Sequence, residues 1–312
     1  MMKYLIILCI ISEISSIPIS DSRIVYPDEF NSIQVDNRID DTDSEQISLI
    51  DNPNIIKSVN ATNTSTIQHQ IKDKNPENGK FFQGDIVLLD EQLDSVNDTS
   101  GSAARTGLSN IFRRWPKNAY GKVVVPYTIS DDFSFDDKAT VLSAMYDIET
   151  HTCIKFKQQS HESDYIYIIS DEGCYSYIGR KFGPQVMSLQ RDNCIGHGHI
   201  IHELIHALGF HHMHNHIDRN KFVTIYSYNI DQTKINQFIT LNPSLFENFG
   251  TPYDYYSVMH YDTHTFSANG MPTILPNDHR YRNVLGQRIG LSQGDVKRIN
   301  SMYQCNQVSY GY

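Results

Sequence analysis

Apolar and polar positions settle into a regular rhythm in only a few stretches, and those stretches define the predicted elements. Residues 122–129 (KVVVPYTI) are rich in β-branched side chains and predict a strand. Pro126 has no N–H to give a ladder, which predicts an edge position or a bulge. Ser134-x-x-Asp137 then predicts a helix start with a carboxylate in its first turn. Behind it Phe135, Ala139, Leu142, Met145 and Ile148 recur at helical spacing and predict a core-facing stripe. Residues 165–169 (YIYII) and 185–189 (QVMSL) predict two more short strands. Residues 200–208 predict a helix that Gly209 stops. Ser292-x-x-Asp295 opens a last helix with Val296 and Ile299 on one side. Strands precede the central helix and irregular chain follows it, so the fold class is α+β.

The first hundred residues follow another pattern. Residues 4–11 form a short apolar run behind Lys3, with Ser15 and Ser16 beyond it, which predicts a secretory signal over 1–16. The run is too short to cross a bilayer, and no later stretch predicts a membrane anchor. Residues 21–80 are rich in Asp, Asn, Ser and Thr without periodicity and predict poor order. Three glycosylation sequons fall at Asn60, Asn63 and Asn97.

Charge follows the same division. The formal net charge is −10, of which residues 21–105 carry −9, leaving 106–312 close to neutral. No basic stripe exists, which excludes a nucleic-acid partner. Cys9 departs with the signal. Cys153, Cys174, Cys194 and Cys305 remain, an even number that predicts two disulfides in an exported chain. Four cysteines allow three pairings, and spacing alone does not choose among them.

The candidate chemistry lies in residues 202–212, HELIHALGFHH. His202 and His206 are four apart, so on a helix they share a face and suit Zn²⁺. Glu203 sits beside the metal position, where a general base for an attacking water belongs. Gly209 permits a left-handed turn that returns His212 to the same ion. His211 is a competing third ligand that fits the H-x-x-G-x-x-H spacing less well. One zinc per chain is expected.

These residues resemble the metzincin signature, and Ser257-Val258-Met259-His260-Tyr261 is similar to the Met-turn of the astacin family. The likeness runs from about residue 81 to 305. It includes Arg114-Trp115-Pro116, the stretch from Cys174 to Arg180, and Asp218-Arg219. It implies two subdomains with a cleft between them: a twisted sheet with the active-site helix, and a more irregular C-terminal half. It also implies disulfides Cys153–Cys305 and Cys174–Cys194, a packing role for Met259, and a transition-state contact from Tyr261. Phe82-Gln83-Gly84-Asp85 is similar to the family's pro-segment motif, whose aspartate ligates zinc in the latent form. The domains implied are a pro-segment over 17–105 and a catalytic domain over 106–312. A trypsin-like protease would cut after Arg105, with Arg113-Arg114 as the second candidate. One departure stands out. Many astacins carry a glutamate after the third histidine to bind the new N-terminus, and this chain carries Met213 there, with His216 where arginine is usual. The reading is a secreted, extracellular zinc endopeptidase acting on proteins or peptides. Its alternative is a secreted relative with weak or no activity that binds without cutting.

Overall fold

A computed structural model describes residues 77–90, 92, 111–240 and 247–305. The chain separates into units 1–58 and 59–312, and every described residue belongs to the second. The signal over 1–16, Asn60, Asn63, Asn97 and Arg105 lie outside the described residues.

Six strands make the main sheet: β1 (Ile86–Val87), β2 (Val123–Ile129), β3 (Ile154–Gln158), β4 (Tyr165–Ile169), β5 (Cys174–Tyr177) and β6 (Pro184–Leu189), in the order β1-β5-β6-β4-β2-β3. Only the β5–β6 pair is antiparallel. Pro126 is accommodated by a change of partner along β2. Val123 to Tyr127 pair with β3, whereas β4 joins only from Tyr127 onward. Pro126 therefore lies where the strand is locally an edge, and its missing N–H costs nothing on the open side.

Helix α1 (Phe135–His151) connects β2 to β3. The Ser134 hydroxyl accepts from the Asp137 N–H at 3.2 Å, and the Asp137 carboxylate accepts from the Ser134 N–H at 2.9 Å, a reciprocal capping box. The predicted stripe on this helix is corrected. Its buried face is Val141, Ala144, Met145 and Ile148, while Phe135, Ala139 and Leu142 are exposed. At about 100° per residue the steps from 142 to 145 and from 145 to 148 each drift by about 60°, so the five positions do not share one face.

Helix α2 (His197–Leu208) is buried along nearly its whole length. It packs against α1 in one core cluster that also takes in the sheet, through residues such as Val125, Ile148, Ile166, Leu204 and Ile205. Gly209 ends it at φ 112°, and its N–H and that of Phe210 both reach the Ile205 carbonyl. Beyond it the chain is mostly turns. A two-stranded ribbon of β7 (Val223–Ile225) and β8 (Ile274–Pro276) carries a second cluster around Met213, Phe238, Tyr253, Tyr261 and Phe266. Helix α3 (Gln293–Met302) closes the described chain under a second capping box, Ser292 with Asp295. Disulfides join Cys153 to Cys305 and Cys174 to Cys194, with Cα separations of 5.1 and 5.8 Å. Among the described residues no helix is long and apolar enough to cross a membrane.

The expectation of poor order over 21–80 is corrected at its end. Glu77 is buried, and its carbonyl lies so close to Gly84 that a Cβ there would sit at 2.3 Å. Gly84 answers with φ +90°, a conformation only glycine adopts at low cost. Residues 81–86 close the loop through reciprocal backbone bonds between Phe81 and Gly84 and between Phe82 and Ile86.

Candidate metal centre

Three imidazoles converge on one another. His202 and His206 stand one turn apart on α2, and the left-handed exit at Gly209 brings His212 back toward them. The His202 Nε2 lies 3.2 Å from that of His212 and 3.1 Å from that of His206. Each ring commits its other nitrogen outward. His202 Nδ1 meets the Val258 carbonyl at 2.8 Å, His206 Nδ1 meets the Phe210 carbonyl at 2.6 Å, and His212 Nδ1 meets the Gln83 side-chain oxygen at 3.0 Å. An oxygen acceptor there demands an N–H, so all three Nε2 atoms turn bare lone pairs on one another.

Asp85 completes the group. Its Oδ2 is 3.2 Å from the Nε2 atoms of both His202 and His212, and its Oδ1 is 3.5 Å from that of His206. All four side chains are fully buried. Asp85 Oδ1 has no hydrogen-bond partner, nor has either carboxylate oxygen of Glu203. Converging lone pairs and a buried carboxylate repel unless a cation lies between them. Three imidazoles plus one carboxylate form a donor set that zinc accepts, and separations near 3.2 Å match bonds of about 2.1 Å around one ion. Burial pushes the pKa values of His202 and His212 well below the ordinary imidazole value and keeps them in the neutral form that a ligand needs.

Glu203 follows His202 on α2, and an oxygen of its carboxylate lies within 4.8 Å of a ring nitrogen of His202. Burial pushes that carboxyl well above its ordinary pKa, and the charges of Asp85 and Glu77 add to the effect. The Tyr261 ring packs 4.7 Å from that of His212 and stacks on His214 at 3.7 Å. Its hydroxyl donates to the Gln83 carbonyl at 2.6 Å.

The segment Ser257–Tyr261 adjoins the site through the Val258 carbonyl. Met259 is buried in the main core, and its carbonyl accepts from the Met213 N–H at 2.9 Å, joining the Met-turn to the loop after His212. Asp295 at the start of α3 accepts from the Ser257 hydroxyl at 2.6 Å and from the Val258 N–H at 2.9 Å. The Val258 backbone is thus gripped at its N–H by α3 and at its carbonyl by a candidate ligand.

Several groups here carry no mark in the sequence. Gln83 is only the variable position of its motif, yet it touches His212 and Tyr261. Asp295 reads as a helix cap alone. Glu77 and Arg288 belong to no motif. Arg288 donates from Nε to Glu77 Oε1 at 2.7 Å and from Nη2 to Oε2. Burial alone would raise the Glu77 pKa, and the guanidinium overrides it to hold the carboxyl below its ordinary value. No local signal joins two residues 211 positions apart. Conversely, His211 is buried and shares the chain's turn with His212 but is not among the converging side chains.

Comparison with known proteins agrees with this geometry. Residues 108–304 match the family model described as Astacin, a peptidase family. Zinc metalloproteinase nas-4 of Caenorhabditis elegans is 35% identical over 246 residues, 78% of this chain and 75% of the relative. Zinc metalloproteinase nas-13 of the same organism is 38% identical, but this chain spans only 52% of its length. The solved structure of high choriolytic enzyme 1, a hatching enzyme zinc-protease from the medaka Oryzias latipes, superposes with a TM-score of 0.60 at 40% identity, covering 63% of this chain and 96% of that one. With an α+β fold, a buried group fit for one zinc ion and a family match across most of its described length, the chain belongs to the astacin family and is a zinc metalloendopeptidase.

Proposed function

We propose that this chain is the latent precursor of a secreted endopeptidase in which His202, His206 and His212 hold zinc, Glu203 is the general base, and Asp85 occupies the position that a reacting water needs. The observation that carries this reading is the convergence of three bare Nε2 atoms on a buried carboxylate from another part of the chain. When bound, zinc supplies a Lewis acid that polarises a peptide carbonyl and acidifies water. Glu203 takes the proton of the attacking water and hands it to the leaving amine. Its lack of any hydrogen bond leaves both oxygens available for that work. Tyr261 donates a hydrogen bond to the carbonyl oxygen as charge develops there. In the latent form that hydroxyl is spent on the Gln83 carbonyl.

Latency ends when the pro-segment over 17–105 is cut away and the catalytic domain over 106–312 remains. A cut after Arg105 suits the folded protein better than one at Arg113-Arg114. Trp115 is buried, its indole N–H donates to the Ala207 carbonyl at 2.8 Å, and Arg114 holds the Met302 carbonyl at 3.1 Å. A protease would have to unpick that anchorage to reach the second pair. Met213 packs in an apolar cluster and offers no carboxylate to an ammonium group, so the new N-terminus is held by another group or more loosely. Glycans on Asn60, Asn63 and Asn97 complete the reading of an exported chain, and the substrates are proteins or peptides.

Hydrolysis of an unfolded test protein by trypsin-treated precursor tests this. Activity should vanish with a zinc chelator, and Glu203→Ala should lower kcat by about 10² to 10⁴-fold at unchanged zinc content. Full activity in the Glu203→Ala protein would remove the assigned base.

A further inference from the structure

The pro-segment delivers two buried carboxylates to this site, and only Asp85 is accounted for by the metal. Glu77 also reaches this centre, with one ligand-type atom each from Glu77, His202 and Glu203 all within 4.8 Å of one another. There it meets Arg288 in a two-pronged pair, both residues nearly removed from solvent.

Arg288 is held in place by the rest of the domain. Its Nη1 donates to the His260 carbonyl at 3.2 Å and to the Gln287 carbonyl at 3.0 Å. Its own backbone carbonyl packs onto Gly198 in the first turn of α2, where a Cβ would sit at 1.9 Å. The Gln287 side chain ties the same loop to the Tyr256 and Gly290 carbonyls at 2.7 and 2.9 Å. The guanidinium is therefore presented by a fixed loop, with its carboxylate-binding edge turned to the pro-segment. Glu77 is equally fixed, because the contact between its carbonyl and Gly84 folds residues 77–85 into one tight loop with Glu77 and Asp85 at its two ends.

We propose that Arg288 is a second docking site for the pro-segment, a pocket for an acidic side chain that Glu77 fills, and that this ion pair holds the latent loop in place independently of the metal. The idea rests on reading residues 17–105 as a removable pro-segment. Asp85 grips only as firmly as zinc is present. Glu77 grips an arginine that cannot be chelated, so a precursor that has not yet acquired zinc is still held in its latent arrangement. Glu77 leaves with the pro-segment, so its substitution leaves the mature enzyme chemically unaltered.

Hydrogen exchange of the amides in 81–87, read by mass spectrometry on the full chain, separates the two grips. Wild type, Glu77→Gln and Asp85→Asn are compared with zinc loaded and with zinc stripped. Truncating the charge of one partner in a buried pair predicts exchange faster by about thirtyfold or more for Glu77→Gln in both metal states. Asp85→Asn should act chiefly in the zinc-loaded protein. Glu77→Gln exchange equal to wild type in both states overturns the proposal. An Asp85→Asn protein indifferent to zinc instead overturns the reading of Asp85 as the metal's occupant and leaves the Glu77 result standing by itself. Exchange in Tyr165–Ile169 serves as the fold control. If that strand also loosens in Glu77→Gln, Glu77→Asp decides: protection between wild type and Gln supports the ion pair, and protection no better than Gln sinks it.

Discussion

The chain on either side of Gly209 is held together by different means. From residue 111 to Leu208 the structure is mainly sheet and helix, organised by backbone ladders within five strands and two helices. From Phe210 to Cys305 the described residues hold a short ribbon, α3 and brief 3-10 turns, and side chains make many of the long-range connections. Tyr255 closes onto the Phe222 carbonyl, Asn229 onto the Pro272 carbonyl and Asp295 onto Ser257 and Val258, while Phe222 stacks on Tyr253 and Tyr255 on Tyr281. The candidate metal centre straddles the divide. His202, Glu203 and His206 come from the regular half, and His212, Met259, Tyr261 and Arg288 from the irregular one. A helix can aim two ligands a turn apart by its own geometry. Aiming a third from irregular chain requires bonds that cross long stretches of sequence.

The sharpest way to break that contrast is to cut one such bond. Asp295 is buried and bonded to Ser257, Val258, Ser292 and Arg298. Asp295→Ala leaves Arg298 buried without its carboxylate, which costs about 3–5 kcal/mol of folding stability. It also frees the Val258 peptide whose carbonyl orients His202, so zinc affinity should fall with it by about 10 to 100-fold. Chemical denaturation and a zinc-competition titration on the same protein check both. Lost stability with unchanged zinc affinity would show that the regular half aims its own ligands without help.

Next in size is Tyr261→Phe, which removes one donor and little volume. The zinc ligands should stay where they are, and kcat should fall by about 10²-fold or somewhat more, a loss of about 3 kcal/mol. Kinetics on the activated protein, with KM measured separately, checks it. A change in KM alone would mean that the irregular half contributes binding and no help to the transition state. The full-length chain offers an independent view, since the Phe variant also loses the bond to the Gln83 carbonyl.

The same contrast explains what is legible in the residues. HELIHALGFHH can be read because a four-residue spacing on a helix and a glycine stop are local rules, and the structure places His202, His206 and His212 together. Ser134-x-x-Asp137 and Ser292-x-x-Asp295 are legible for the same reason, both forming capping boxes. Strands β3 and β5 are not foreseen, since Ile154–Gln158 mixes charge with apolar side chains and the four residues of β5 are too few to show a period. Glu77 with Arg288, and Asp295 with the Met-turn, are illegible because nothing in a sequence marks which distant polar groups will meet.

The smallest effect tests the one place where a local rule misleads. Phe135 stands at the start of α1 and is 85% exposed, although the apolar stripe read from the sequence counts it with the core. Burial, not spacing, sets the worth of an apolar side chain. Ile148 is fully buried on the same helix, and truncating it to alanine should cost about 2–5 kcal/mol through lost transfer energy and the cavity left behind. Phe135→Ala removes a larger side chain but opens no cavity and withdraws little apolar surface from the core. Its stability change should stay within about 0.5 kcal/mol of zero. The capping box at Ser134 is unaffected, because it is made by the side chains and backbone N–H groups of Ser134 and Asp137. Denaturation midpoints for the two variants, measured side by side, check the ranking. A Phe135→Ala cost that approaches that of Ile148→Ala would mean that another surface covers this end of α1, and the helix would then bury a second face that the regular half does not display.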